Sequence, residues 1–275
     1  MVATKSQQSA DAARRVKARR QSGPVTDVVR EAIRLATDPQ LVVLDGFHCV
    51  KHAIRFDAEL VLLVTTDRAA TLDLADSLAP DVVERLRAEL VSVNPSLAGR
   101  LRGVDPGSEL IGFARRPVPG SDATRRSAPA VLLDNPRNLA NLGAVVRVAA
   151  GFGASAVLST GSVDPWHPAV VRAGAGLHFA TTVRRITPED PALAGQGQLF
   201  AFDPSGEDLR EIELPDDALL AFGSERHGLS AAVRRRADRL VSIPMAELVS
   251  SYNLATSVAV GLYHWSAGRA RPAGR

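Results

Sequence analysis

The stretch Asp134-Asn135-Pro136-Arg137-Asn138-Leu139-Ala140-Asn141-Leu142-Gly143-Ala144-Val145-Val146-Arg147 decides how the chain is read. It follows the apolar run 130–133, is dense in amides, and leads into an apolar helix expected over 139–151. A strand that passes through a polar loop into a helix opens an α/β unit. Two later segments repeat the theme. Ala221-Phe222-Gly223-Ser224-Glu225-Arg226-His227-Gly228-Leu229-Ser230 is a strand end opening into a glycine-flanked acidic turn, and Ile243-Pro244-Met245 is followed by Ser250-Ser251-Tyr252-Asn253-Leu254-Ala255-Thr256-Ser257. Any one of these reads as an ordinary capped turn. Ligands of open α/β sheets gather outside the carboxyl ends of strands, where all three segments fall, so together they mark one site.

Working outward, further strands are expected at 154–158, 199–202, 218–222 and 240–243, with helices at 168–175, 231–237 and 252–265. Upstream, Thr26 is expected to cap a helix running through Val28, Val29, Ile33 and Leu35. Strands at 41–44, 60–64, 91–93 and 109–113 then alternate with helices at 47–56 and 80–90, which predicts a small α/β domain with a largely parallel sheet. Between the halves, 115–129 holds Pro117, Pro119, Gly120 and two arginine pairs without periodicity and reads as a linker. The expected layout is a basic arm over 1–23, a first domain over 24–114, the linker, a second domain over 130–266 and a frayed tail over 267–275.

At 275 residues, 45 % apolar and 23 % charged, the chain has the composition of an ordinary globular protein of one large or two modest domains. Its apolar runs are too short to cross a bilayer, and its first twenty residues lack a secretory hydrophobic segment, so a cytoplasmic protein is expected. Cys49 is the single cysteine, which excludes an intrachain disulfide and a multi-cysteine zinc site. His48 and His52 share a helix face, but no glutamate follows His48 as in HExxH, and no metal is expected. Gly174-Ala175-Gly176 would need a third glycine where Phe179 stands to form a dinucleotide fingerprint. Gly223-Ser224-Glu225 lacks the spacing of a nucleophile elbow.

The net charge of +3 is unevenly spread. Lys5, Arg14, Arg15, Lys17, Arg19 and Arg20 face Asp11 alone, giving the first 23 residues +5 and leaving −2 for the rest. Such a segment reads either as an arm that tracks phosphates or as a solvated tail.

The three segments resemble the signature motifs of the SpoU/TrmH branch of the SPOUT superfamily, S-adenosylmethionine-dependent RNA 2′-O-ribose methyltransferases. They supply N-x-G-A-x-x-R at Asn141 to Arg147, F-G-S-E-x-x-G-L-S at Phe222 to Ser230, and I-P-M followed by S-x-N at Ile243 to Asn253. The resemblance implies an α/β methyltransferase domain closed by a trefoil knot. It also implies a homodimer whose active site is completed across the interface. S-adenosylmethionine would be held at Gly223 and Ser224, around Ile243 and Met245, and at Leu254. Arg147 would be the central catalytic residue, helped by Asn141, Glu225, Ser251 and Asn253. The first domain is similar to the ribosomal-protein-like RNA-binding domain that many members carry in front, with Asp45-Gly46 where Glu-Gly is commoner. The sequence departs from the family where Ala169 stands for a frequent Lys, Gly174 for Ser and Tyr252 for Leu. Arg172 is retained and is a candidate RNA phosphate contact, beside the simpler reading of a surface ion pair.

The implied chemistry is in-line transfer of a methyl group to a ribose 2′-hydroxyl, a poor acid that must lose its proton. A guanidinium is a weak proton acceptor at neutral pH. Arg147 is therefore expected either as the base in an environment that neutralises it, or as the cation that holds a phosphate and the developing alkoxide while solvent takes the proton. Ribosomal RNA is the favoured substrate, because a recognition domain in front suits a target in a folded loop. Thiostrepton-resistance enzymes share this two-domain layout. A transfer RNA ribose methyltransferase and a non-catalytic RNA-binding protein on the same scaffold are the alternatives. Beside an RNA enzyme the arm becomes an RNA-binding element through Arg14, Arg15, Lys17, Arg19 and Arg20. Deleting residues 1–23 is expected to weaken RNA binding and flatten its salt dependence while leaving donor affinity unchanged, as measured by filter binding across a salt series and by calorimetry.

Overall fold

A computed structural model describes residues 25–94, 109–118, 126–187, 190 and 197–269. The arm at 1–23 and positions 119–125 of the expected linker lie outside the described residues. The chain divides into two compact units, Met1–Arg116 and Pro117–Arg275.

The first unit contains α1 (Val25–Ala36), β1 (Leu41–Asp45), α2 (Phe47–Arg55), β2 (Leu60–Thr65), α3 (Arg68–Leu78), a 3-10 turn (Pro80–Val82), α4 (Val83–Glu89), β3 (Leu90–Ser92) and β4 (Leu110–Arg115). The helix α1 already includes Thr26, one position inside the start where it was expected as a cap. The four strands lie in the order β1-β4-β2-β3. The expectation of a largely parallel sheet is corrected here: β4 runs antiparallel to both β1 and β2, and only β2 and β3 are parallel. Alternation of strands and helices along the chain does not determine where the last strand inserts. β4 enters the middle of the sheet, which is why its first five residues are all buried. Helix α3 escaped the sequence reading because it buries only Thr71 and Ala75 and so carries no apolar stripe. Its start is set by Asp67, whose carboxylate accepts from the Ala70 N–H at 2.9 Å.

The second unit contains β5 (Ala130–Asp134), α5 (Leu139–Phe152), β6 (Ala156–Ser159), α6 (Pro168–Ala173), a 3-10 turn (Leu177–Phe179), β7 (Thr182–Arg185), β8 (Leu199–Asp208), a second 3-10 turn (Leu209–Glu211), β9 (Leu219–Gly223), α7 (Ala231–Arg236), β10 (Arg239–Ser242) and α8 (Leu254–Arg269). Its six strands form a parallel sheet in the order β10-β8-β9-β5-β6-β7. From β5 the chain builds outward to β6 and β7, then returns to fill β8, β9 and β10 on the other side. The reversal falls between β5 and β9, and the crevice at the carboxyl ends of those strands is the binding position of such sheets. Asp134 and Gly223, the last residues of the two strands, are paired in register there. Strand β7 was missed because Thr-Val-Arg-Arg is short and half charged. Helix α8 continues to Arg269, three residues past the expected domain end at 266.

Helix α5 begins where Asn138 accepts from the Ala140 and Asn141 N–H groups at 2.9 and 3.1 Å. Gly143 permits its crossing with α6: a Cβ there would lie 2.4 Å from the Val170 carbonyl oxygen and 2.5 Å from the Ala173 Cβ. Beyond α6, His178 is wholly buried against Trp166, with ring centroids 5.2 Å apart. Its Nε2 donates to the Pro165 carbonyl at 3.0 Å, while Nδ1 has no partner. Burial pushes this imidazole down to about 4 from its ordinary 6.5. The folded protein therefore keeps His178 neutral at a pH where the unfolded chain protonates it. Its contribution to stability is complete above about 6.5 and is lost as pH falls through about 4. Urea unfolding of the parent and a His178→Leu variant between pH 4 and 7 should show that share of the acid loss in the parent alone.

Candidate functional site

The carboxylate of Asp134 is buried at the carboxyl end of β5 and joins three strand ends. One oxygen accepts the Ser230 N–H at 2.6 Å and the other the Thr160 hydroxyl at 3.2 Å. Thr160 in turn accepts the N–H of Asn135, whose φ of 54° is left-handed. The glycine turn after β9 and the loop after β6 are thus held to the start of the loop that leads into α5.

Across from this tie, three polar side chains form a chain. Asn253 Oδ1 accepts the Ala255 N–H at 2.9 Å, so its Nδ2 is the group that donates to Asn141 Oδ1 at 3.0 Å. Asn141 must then present its own Nδ2, which donates to Glu225 Oε1 at 2.8 Å. A backbone donor at one end and a carboxylate at the other fix both amide orientations. The first, second and third motifs, 112 residues apart at the extremes, converge on this one chain of bonds.

Gly223 and Gly228 bring the turn to its shape. Ser224 and Gly228 exchange two backbone hydrogen bonds of 3.0 and 2.9 Å. A Cβ at Gly223 would lie 2.1 Å from the Gly228 carbonyl carbon, so no side chain fits there. Beneath the turn, Phe202 and Phe222 stack at 4.3 Å between centroids.

These features border a cleft of about 510 Å³, within the range of small-molecule sites. Of the residues singled out from sequence, Gly223, Ser224, Glu225, Ile243, Met245, Ser251, Asn253 and Leu254 line it. Asn141 stands behind Glu225 and Asn253 and reaches the cleft through them. Arg147 and Arg172 do not line it: Arg147 is exposed on α5, six residues and about 9 Å of helix rise beyond Asn141, and Arg172 is exposed on α6. Phe202, Asp203 and Pro204 were missed, although the expected strand 199–202 ends there and the strand-end rule that found the other segments also applies to it. Tyr252, the departure from leucine, donates its hydroxyl to the Pro244 carbonyl at 3.1 Å and closes the loop between them. Gly174, the departure from serine, leaves room for His178, since a Cβ there would lie 2.8 Å from the ring.

Burial works against the charge of Asp203, but hydrogen bonds from the Ser205 hydroxyl and N–H and the Arg234 guanidinium hold its carboxyl below the usual value. It therefore stays an anion on the cleft wall. Among the described residues no group of three or more His, Cys, Asp or Glu could hold a metal ion, and no helix is long and apolar enough to cross a membrane.

Residues 128–263 match the SpoU rRNA Methylase family. A tRNA/rRNA methyltransferase of Synechocystis sp., itself uncharacterized, is 35 % identical over 139 residues, spanning 48 % of this chain and 51 % of its own length. The 23S rRNA (uridine(2479)-2′-O)-methyltransferase of Streptomyces viridochromogenes is 29 % identical over 213 residues, 72 % of this chain and 73 % of that protein. The crystal structure of the SpoU methyltransferase AviRb from the same organism, in complex with AdoMet, shares the fold with a TM-score of 0.71 at 23 % identity, over 90 % of this chain and 98 % of that one. The match to the Synechocystis protein thus reaches only about half of its length.

Removing the Asp134 carboxylate should release the glycine turn. Asp134→Ala is expected to cost about 1–3 kcal/mol of stability, because it removes the acceptor of the Ser230 N–H and the Thr160 hydroxyl, and to speed hydrogen exchange at the Ser230 amide. Chemical denaturation and amide exchange measure the two effects.

Proposed function

We propose, from the premise that this chain belongs to the SpoU rRNA Methylase family through residues 128–263, that it is an S-adenosylmethionine-dependent RNA 2′-O-ribose methyltransferase acting on ribosomal RNA. The observation that carries this reading is the convergence of Asn141, Glu225 and Asn253 in one hydrogen-bonded chain at the rim of the cleft. The Streptomyces relative, which spans both units by length, supports the ribose hydroxyl and the ribosomal substrate by what its name states.

The donor fits the cleft on the cleft's own features. The stacked Phe202 and Phe222 give an apolar floor, and the Gly223 turn presents bare backbone where a side chain would block adenosine. Ser224, Ile243, Met245 and Leu254 complete the walls. When bound, S-adenosylmethionine supplies a methyl carbon on a sulfonium, which is a good leaving group. Glu225 on the cleft wall favours a cation there, whereas Asp203 on the same wall is already paired with Arg234. Glu225 is kept in place by Asn141, and Asn141 by Asn253, so the groups around the acceptor hydroxyl are oriented before substrate arrives. Ser251 lies on the same wall and is a hydrogen-bond partner for the ribose.

Arg147 is assigned the role of holding the phosphate beside the target and stabilising the alkoxide as the hydroxyl proton passes to solvent. Its position outside the cleft of its own chain supports a homodimer in which the reacting site is completed by a second copy. The strand order, with β10 beside β8 at one edge and α8 packed back on β9 and α5, supports the trefoil knot of the family. Residues 24–114 are assigned to RNA recognition, 130–266 to donor and chemistry, with Arg172 and the arm as further phosphate contacts. A lone cysteine and an RNA substrate agree with a cytoplasmic location.

Incubation with tritiated S-adenosylmethionine and ribosomal RNA should label a 2′-O-methyl nucleotide, and RNA binding without label would instead support a non-catalytic binder. Arg147→Ala should lower transfer by a factor of a hundred or more while donor affinity, read by calorimetry, stays within twofold. Near-normal turnover in that variant overturns the assignment.

A further inference from the structure

Most of the described arginines are held by a partner. In the second unit Arg184 pairs with Asp190, Arg210 with Asp208, Arg234 with Asp203, Arg239 with Glu207 and Arg269 with Asp216. Among the described residues, the arginines that form no hydrogen bond or ion pair are Arg137, Arg147, Arg226 and Arg235, and all four are exposed. They are not scattered over the surface. Each follows one of the two central strands of the second sheet: Arg137 and Arg147 lie in the loop and helix after β5, Arg226 and Arg235 in the turn and helix after β9.

Arg137 and Arg226 stand on the loops themselves. Ser224 and Gly228 close the turn with two backbone hydrogen bonds, which puts Arg226 at its apex. Asp134 fastens the end of this turn to the loop after β5 through the Ser230 N–H, and Asn141 fastens the two segments again through Glu225. Arg137 falls between Asp134 and Asn141 and Arg226 between Glu225 and Ser230, so both belong to the stretch between the two ties. That stretch borders the cleft at Glu225. Glu225 precedes Arg226 in the chain, yet its carboxylate is bonded by Asn141 and not by the guanidinium.

We propose that Arg226 and Arg137 hold the RNA phosphates that flank the target nucleotide, and so fix which ribose of a bound strand enters the cleft. The inference rests on the reading of the chain as an RNA methyltransferase and adds two contacts to the one given to Arg147. A guanidinium without a partner binds a phosphate with no ion pair to break first, and its planar fork matches two phosphate oxygens. Set on a turn that is closed by backbone bonds and tied at two points, Arg226 is also placed before RNA arrives. Phosphate contacts carry no sequence information but set register, which is what a cleft that acts on one ribose requires.

The test uses the full chain, with radiolabelled ribosomal RNA fragments in filter binding across a salt series and S-adenosylhomocysteine in calorimetry. Arg226→Gln and Arg137→Gln break no bond among the described residues, so both should unfold in urea as the parent does. Each should raise Kd for RNA about threefold or more and shallow the slope of log K against log salt by about 0.7, and the double variant should shallow it by about 1.4. Arg226→Lys, which keeps the charge, should keep the slope. Arg210→Gln removes an equal charge from an arginine paired with Asp208 and should leave Kd and slope as in the parent. In methyl transfer the double variant should raise KM for RNA about tenfold, with kcat and S-adenosylhomocysteine affinity within about twofold. A parent-like salt slope in the double variant overturns the proposal, and so does an equal loss in Arg210→Gln, which would make the effect one of net charge alone. Loss of S-adenosylhomocysteine affinity also overturns it, by assigning the guanidinium groups to the carboxylate of the donor. A parent that binds RNA with these dependences but transfers no methyl group overturns the reaction and leaves the contacts. A parent that binds no RNA overturns both.

Discussion

A carboxylate placed where water cannot reach it must be met by donors, and Asp134 meets two of them from different parts of the chain. Ser230 belongs to the turn after β9 and Thr160 to the loop after β6, so one buried charge sets the relative positions of three loops at the carboxyl edge of the sheet. The Asn253–Asn141–Glu225 chain depends on that arrangement. Its bonds of 3.0 and 2.8 Å leave little tolerance for a displaced turn. The order of dependence runs from a tie on a buried carboxylate to a more exposed relay at the rim of the cleft. The tie holds the loops together, and the relay of two amides and the Glu225 carboxylate orients the side chains at the rim of the cleft.

Backbone proximity is the other constraint. The asparagine of the first motif is useful only if α5 keeps its pitch toward the glycine turn, and α5 can lie close to α6 only because Gly143 has no Cβ to strike the Val170 carbonyl. Gly223 does the same for the turn itself. The motif spacing N-x-G therefore joins a functional side chain to the packing residue two positions on, and neither can move without the other.

The candidate site was legible in the sequence to a greater degree than the pairing of the strands around it. Amides and glycines at strand ends are conspicuous because they break the apolar runs on which the strand assignments rest, and Gly223, Gly228 and Asn253 among them border the cleft. Phe202 and Asp203 stand where the expected strand 199–202 ends, but neither is a glycine or an amide, and β8 itself runs on through Asp208 with its second half out of the core. The antiparallel insertion of β4 was equally silent, since the uncharged run 110–114 has the same appearance at a sheet's centre in either direction. Helix α3 and strand β7 were missed for want of an apolar stripe. Position along the chain is a local property, whereas partner choice in a sheet is not, and local pattern carries only the first.

The charges of the second unit divide by place. Glu225 and Asp203, the latter paired with Arg234, are on the cleft wall, and Arg147 and Arg172 are exposed outside it. For the proposed reaction this division follows from the reactants, one of which is a sulfonium cation and the other a polyanion. An arginine within the cleft would repel the first, and a carboxylate on the approach would repel the second. In the proposed reaction Arg147 would be met only once RNA has arrived, beside a phosphate and the oxygen that becomes charged. Its exposure on α5 agrees with the role proposed for it, apart from the groups that line the cleft.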